Sequence, residues 1–538
     1  MRTKEYNGYS LLLPSLVLLV VVFAVYGGVL HHNFLDGWDD DSYVTANRAV
    51  QGITIDNVKA AFTSIYVGNY APLQIVSYMV DYAIWGPHAI GFLLTNILLH
   101  AANGLLYFAL ARRLAESLLP AFVAAFIFLF HPVQVETVAW ISQRKTLLAM
   151  FFFLSALHAW VAWRERKEPT GVIFYAVSLG AFCCAVLAKS VAVVLPVALL
   201  LYDLCFVAKN RRQGLVAGLI PFLLIALAFA TMNFVVQDPA LGGGGGRAAW
   251  HGGGPLATLY TMLPVVVRYL GMLVWPTNLS AFYDPPIRNA VDLQVALAAL
   301  LLAVLTAGMV FLWKRKRKLF FWGGVFWLGL LPVSQVVPLV TLMNDRYLYF
   351  PLLGLAMLCG VLLACLADAL GYSAGRTWTV VPLLVFLLPL PFLAWERTKV
   401  WQNSLTLWSD VVVKSPTSKW GWIGLAEAYR NRNQTDMAIQ TYQRVLSMDP
   451  ASVRALINLG RLYTMRGDTA KGRGYLLKAV ELYPGYSPSY VALGENYYRA
   501  GEWEQAVAAY GKARALDPQA KGLDSVLHEL KGRAGSRQ

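Results

Sequence analysis

"NFLDGWDDDSYVTANRAVQG", residues 33–52, sets three consecutive aspartates behind a tryptophan, directly after a long apolar run at 11–29. The run is long enough to cross a bilayer. Asp39, Asp40 and Asp41, with Asp36 just before them, therefore stand at the mouth of a membrane segment. Negative charge in such a place is costly to hold without a partner of opposite sign. Where that partner lies is the question the rest of the chain must answer.

Outward from this stretch, the chain of 538 residues is 57% hydrophobic and 14% charged, with a mean hydropathy of +0.52. Such a composition belongs to a polytopic membrane protein. Eleven apolar segments follow one another between residues 11 and 395, including short ones at 118–135, 191–207 and 319–340 and a last one at 380–395. A net charge of +15 would suit a nucleic-acid binder, but the positions of the cations exclude that partner. Arg112 and Arg113, "RERK" at 164–167, "KNRR" at 209–212, "KRKRK" at 314–318 and Arg376 fall in alternate short loops, with Arg2 and Lys4 at the start. With a cytoplasmic N-terminus this is the positive-inside bias. An odd number of spans then predicts a multi-pass protein of the cell (inner) membrane whose C-terminal part is periplasmic. The first segment has no small-residue cleavage site and is expected to be a retained anchor. All five cysteines, Cys183, Cys184, Cys205, Cys359 and Cys365, lie in apolar segments, which gives neither a disulfide framework nor a zinc spacing.

After Trp395 the composition turns polar and aromatic, and Pro416, Pro450, Pro484 and Pro518 recur every 34 residues. That period is the tetratricopeptide signature. The expected organisation is a membrane domain at 1–395, a helical connection at 396–418, and three repeats with a capping helix at 419–538. Stacked helix hairpins leave a concave groove that holds a peptide or protein, or else serve as a spacer.

The long loops, 30–88 and 237–292, lie on the outer side and should carry the function. The first contains an amphipathic helix at "DNVKAAFTS". In the second, "LGGGGGR" at 241–247 reads as a hinge or lid, since no strand precedes it and no P-loop lysine follows to make a nucleotide cradle. The stretch from "LYTMLPVVVRYLGMLVW" onward is expected to be an interfacial helix, because counting it as a span would put "KRKRK" outside.

Two further outer motifs supply the opposite charge. "HPVQVETVAWISQRKT" at 131–146 brings His131, Glu136, Arg144 and Lys145, and "MNDRYLYFP" at 343–351 brings Asp345, Arg346 and Tyr347. A carboxylate at the membrane surface can take a proton from an acceptor hydroxyl while cations stabilise a departing phosphate. Transfer of a sugar from a lipid phosphate needs this pair and no nucleophilic residue. Asp39 and Asp40 are the candidate catalytic acids, Asp39 preferred; Arg346, Arg144 and Lys145 are the candidate phosphate ligands. Simpler roles compete: acids cap the next turn, arginines snorkel to headgroups, and His131 before Pro132 ends a helix. Lys189 and Asp203 would serve a transporter, although Lys189 at a tight turn can also snorkel.

The stretches "NFLDGWDDDSYVTANRAVQGIT", "NYAPLQIVSYMVDYAIWG", "HPVQVETVAWISQRKT", "LAKSVAVVLP", "RYLGMLVWPTNLSAFYDPP" and "MNDRYLYFPLLGL", in order, resemble bacterial tetratricopeptide membrane proteins related to the transmembrane and tetratricopeptide-repeat O-mannosyltransferases. The resemblance implies a GT-C glycosyltransferase fold, all-α, with an acidic motif in the first outer loop and a polyprenyl-phosphate-linked sugar as donor. It places the paired acids at Asp39 and Asp40 beside Asp41, the histidine-proline loop at His131 and Pro132 with Glu136, Arg144 and Lys145 downstream, and the arginine-tyrosine motif at Asp345, Arg346 and Tyr347. Ala71, Gln134, Gln143 and Thr146 depart from the usual pattern, where a histidine, a second histidine and an "ERKD" motif are typical.

The expected function is therefore an inverting membrane glycosyltransferase that moves a mannose-type sugar to a protein acceptor held by the repeats. A non-catalytic membrane-anchored scaffold and a transporter are the alternatives. The sequence names no cofactor, and whether a divalent metal bridges the acids and the phosphate stays open at this point.

Overall fold

The computed structural model describes residues 9–166, 170–209, 215–237, 248–369, 387–518 and 522–535. Among them all regular structure is helical, apart from one isolated β-bridge between Tyr66 and Asn69. The chain divides into two units, Met1–Asn403 and Ser404–Gln538. The glycine run at 241–247 lies outside the described residues.

In the first unit, eight helices among the described residues are long and apolar enough to cross a membrane, or nine if one bent pair is a single crossing. Eleven segments were expected, and proline explains most of the difference. At 118–135 the helix Leu118–Phe130 breaks at His131 and resumes as Pro132–Ala139 after a 49° bend. Pro132 has no N–H to donate, and it disfavours helical geometry at His131. The segment at 319–340 is helical only over Arg317–Leu330, followed by a single turn Leu331–Val333 that contains Pro332. The helix through 191–207, Ser190–Phe206, is apolar but short, and most of the segment at 380–395 lies outside the described residues or in Pro389–Val400. Conversely, Pro255–Val274, expected at the interface, is one helix of 20 residues with the length and hydropathy of a crossing.

Close helix packing fixes the element that carries Arg346. In lipid, helices associate through small residues that let backbones approach. A Cβ on Gly354 would lie 2.2 Å from the Trp322 carbonyl oxygen, and one on Gly360 2.3 Å from that of Pro120. These two glycines seat Pro351–Ala369 against Arg317–Leu330 and Leu118–Phe130. The "MNDRY" turn just before Pro351 is held in place by the same packing.

The second unit opens with Ser404–Lys414, so the connection expected at 396–418 is largely helical. Three hairpins follow: Lys419–Asn431 with Thr435–Met448, Val453–Met465 with Thr469–Leu482, and Ser487–Ala500 with Trp503–Leu516; Leu523–Gly535 caps them. Asn433, Gly467 and Gly501, one in each hairpin turn, adopt positive φ of 59°, 89° and 76°. Glycine and asparagine tolerate that region best, so the backbone repeats with the sequence period. Ala426, Ala438, Tyr442 and Leu459 are fully buried in the core of the first two hairpins.

Candidate active site

Asp39 and Asp40 differ sharply in environment. Asp40 is 1% exposed, and both of its oxygens are engaged. The Leu35 amide donates to Oδ2 at 3.0 Å, and the Ser142 amide (3.1 Å) and hydroxyl donate to Oδ1. Burial nevertheless pushes its carboxyl up to about 6, against these hydrogen bonds and with a small further push from Asp39. Asp40 thus ties the first outer loop to the "WISQRKT" turn. Asp41 accepts from the Gly37 amide (2.6 Å) and the Thr45 hydroxyl (2.9 Å), a loop-capping role.

Asp39 is half-buried and makes no hydrogen bond or ion pair among the described residues. Its charge is nonetheless felt at Lys145 and at Arg346. Trp38 beside it stacks on Trp140 at 4.3 Å between ring centroids, and Trp401 stacks on both, at 6.3 Å and 5.8 Å. The Asn33 amide donates to the Gln402 carbonyl at 3.0 Å. This aromatic stack backs the loop and leaves the Asp39 carboxylate as its unengaged acid.

Arg346 faces the same group. Its guanidinium donates to Glu136 Oε1 at 2.5 Å and its backbone N–H to Oε2 at 2.9 Å, so Glu136, fully buried, is wholly committed to it. Burial, the largest influence, opposes the charge of Arg346, but Glu136, Tyr347 and Asp39 together raise the guanidinium above its ordinary value. The guanidinium also lies over the rings of Trp140 and Tyr347, each at 5.4 Å. Lys145, 6% exposed, donates to the Tyr43 hydroxyl at 3.0 Å.

The other expected residues do not join this group. Arg144, expected beside the phosphate, is fully buried and paired with Asp81 at 2.7 Å, with further bonds to Asn96 and the Phe92 carbonyl. It is a structural ion pair, because helix geometry sends consecutive side chains about 100° apart and only Lys145 points to the acids. His131 is 2% exposed; its Nδ1 accepts from the Val133 amide (3.3 Å) and its Nε2 donates to the Leu273 carbonyl (3.1 Å). Asp345 is buried between the Tyr283 hydroxyl, which donates to it at 2.5 Å, and Arg397, 3.6 Å away. Asp203, considered for transport, pairs with Arg164 at 3.1 Å and accepts from Trp160 at 3.1 Å.

Three contributors escaped the sequence: Ser142, which holds Asp40; Tyr43, which holds Lys145; and Trp401, which closes the stack. Only Tyr43 carried a signal, its position four residues after Asp39 in the acidic loop. As for a metal, no three His, Cys, Asp or Glu side chains converge among the described residues, and the oxygens of Asp40 are taken. Among the described residues these acids do not form a protein-held divalent site.

Residues 423–487 and 487–520 match the tetratricopeptide repeat family. The human protein O-mannosyl-transferase TMTC3 is 22% identical over 579 residues, covering 95% of this chain and 61% of that protein. A Caenorhabditis elegans protein O-mannosyl-transferase is 23% identical, covering 84% of this chain and 65% of its own length. The chain is a relative of the protein O-mannosyl-transferases. It spans less than two thirds of the length of either. Its second unit is a tetratricopeptide solenoid. Among solved structures, an Archaeoglobus fulgidus oligosaccharyltransferase aligns over 80% of this chain and 59% of that one, with 12% identity and a TM-score of 0.44, a likeness too distant to bear on the reaction.

Proposed function

We propose that the protein is a membrane glycosyltransferase that moves a sugar, of the mannose type, from a polyprenyl-phosphate-linked donor to a hydroxyl of a protein acceptor by a single inverting displacement. The observation that carries this reading is the Asp39 carboxylate, which makes no hydrogen bond among the described residues and lies near enough for its charge to act on both Lys145 and Arg346, in the loop after the first apolar helix. Asp39 takes the acceptor proton as the acceptor oxygen bonds to the anomeric carbon. The bond from that carbon to the phosphate oxygen breaks on the opposite face, and its electron pair leaves with the phosphate, which the cations stabilise. The kinship to proteins named protein O-mannosyl-transferases supports the same reaction class. Measuring donor-dependent transfer to envelope protein in membranes, with the Asp39 variant described in the Discussion, tests it.

The scaffold reading has less in its favour, because a pure anchor has no use for an unengaged acid beside fixed cations. Transport is disfavoured by the pairing of Asp203 with Arg164.

The site is proposed to face the periplasm, with the repeats on the same side. A reporter active only in the cytoplasm, fused after Gln538, should then give no signal, and a strong signal would reverse the orientation. The repeats are proposed to deliver the acceptor. Because Ser404–Lys414 packs on the first repeat, with Trp408 against Gly424, the clean cut is at Ser404 rather than Lys419. Removing 404–538 should reduce transfer to protein at least 10-fold while leaving hydrolysis of the donor within about 2-fold, since base and cations lie in the first unit. Equal loss of both activities in a well-inserted truncation would make the repeats part of the catalytic fold.

A further inference from the structure

Lys189 lies at the turn between Thr170–Ala188 and Ser190–Val194, and its ammonium donates to the Thr146 hydroxyl at 2.8 Å. Thr146, 1% exposed, passes its own proton to Gln143 Oε1 at 3.0 Å, so its oxygen is oriented to accept from the lysine. Its hydrogen-bond partner Thr146 directly follows Lys145 in the chain, and the charges of Lys145, Arg346 and Glu136 all act on Lys189. The counter-ions of the three cations are unequal. Arg346 is matched by Glu136, whose two oxygens it occupies. Lys145 and Lys189 have only neutral oxygens, those of Tyr43 and Thr146, and among the described residues no carboxylate stands within ion-pairing distance of either. Two ammonium groups withdrawn from water beside a third cation are costly unless an anion joins them.

We infer that Lys189 is a phosphate ligand of the donor site, pairing with Lys145 to hold the lipid-linked phosphate that departs from the sugar. Thr146 is its positioning residue. The inference rests on the proposed sugar transfer. It adds a ligand from a segment that otherwise looks like a snorkelling lysine or an ion path. Two ammonium groups that are hydrogen-bonded only to neutral oxygens match the second negative charge that the phosphate gains as the sugar leaves.

The test is binding to the full-length protein in detergent micelles, using farnesyl phosphate, farnesol and inorganic phosphate as probes. Lys189→Met removes the charge, and Lys189→Gln removes it while keeping an N–H donor for the Thr146 hydroxyl. Both should weaken farnesyl phosphate about 10- to 100-fold, the scale of a lost charge-assisted hydrogen bond, and leave farnesol binding unchanged. If Lys189→Met is poorly inserted, Lys189→Gln decides alone. Parental affinity for farnesyl phosphate in a well-inserted variant, while Arg346→Lys weakens it, overturns the role of Lys189 and leaves the sugar-transfer reading standing. Inorganic phosphate bound as tightly as farnesyl phosphate, with the same dependence on Lys189, overturns the lipid assignment. If the parent protein fails to bind farnesyl phosphate at all, both readings fall.

Discussion

Asp39→Asn should lower donor-dependent transfer about 100- to 10,000-fold, the range for loss of a positioned general base, with insertion and thermal stability unchanged. The expectation comes from the contrast between neighbours. Asp39 makes no hydrogen bond among the described residues, so an amide of the same shape leaves its surroundings intact and removes only the capacity to take a proton. Asp40→Asn should behave differently. One of its oxygens accepts from the Leu35 amide, and an NH2 group placed there would oppose that donor; turning the amide over would instead set it against Ser142. The cost is then a broken buried hydrogen bond, about 1–3 kcal/mol, read as a lower melting temperature with a smaller fall in turnover. Asp41→Asn should remain near the parent, since Asp41 only closes the turn through Gly37 and Thr45. Near-parental turnover in Asp39→Asn would remove the base from the mechanism and favour the scaffold.

What the sequence made legible follows the range over which each interaction acts. The repeats are local: a period of 34 residues and turn residues such as Gly467 and Gly501 carry their own structure. The charged motifs were also visible, because acids and cations of opposite sign recur in three stretches beside apolar segments. Which member of each motif is free was not legible. Asp40 is fixed by Ser142, 102 residues away, and Arg144 by Asp81 on another helix. Neighbours in sequence give no hint of which side chain the distant partner will claim. Trp401 stacks on Trp38 across nearly the whole first unit, and nothing in the sequence singles it out among the 17 tryptophans. Fewer crossings than expected are seen among the described residues for a related reason. Hydropathy windows run through Pro132 and Pro332, where the backbone does not.

Arg346→Lys should lower transfer on the order of 100-fold while the protein still inserts. A lysine keeps one positive charge, and its ammonium can still reach Glu136, so the buried carboxylate is not stranded. What it loses is the planar fork, with one nitrogen on Glu136 Oε1 and the remaining donors available to the phosphate. Removal of one such donor at a developing oxyanion costs about 100- to 1,000-fold in turnover, and the retained charge sets the expectation at the lower end. Arg346→Ala is a poor test by itself. It would leave Glu136, fully buried, without its partner, and breaking a buried pair from one side costs about 3–5 kcal/mol. The double variant Arg346→Ala with Glu136→Gln separates the two effects, because it removes the cation and the buried charge together. If that variant inserts well and transfers as slowly as Arg346→Lys or more slowly, the guanidinium acts on the departing phosphate. If it transfers at the parental rate, Arg346 serves only to neutralise Glu136 and brace Trp140, and the phosphate is held by the lysines alone.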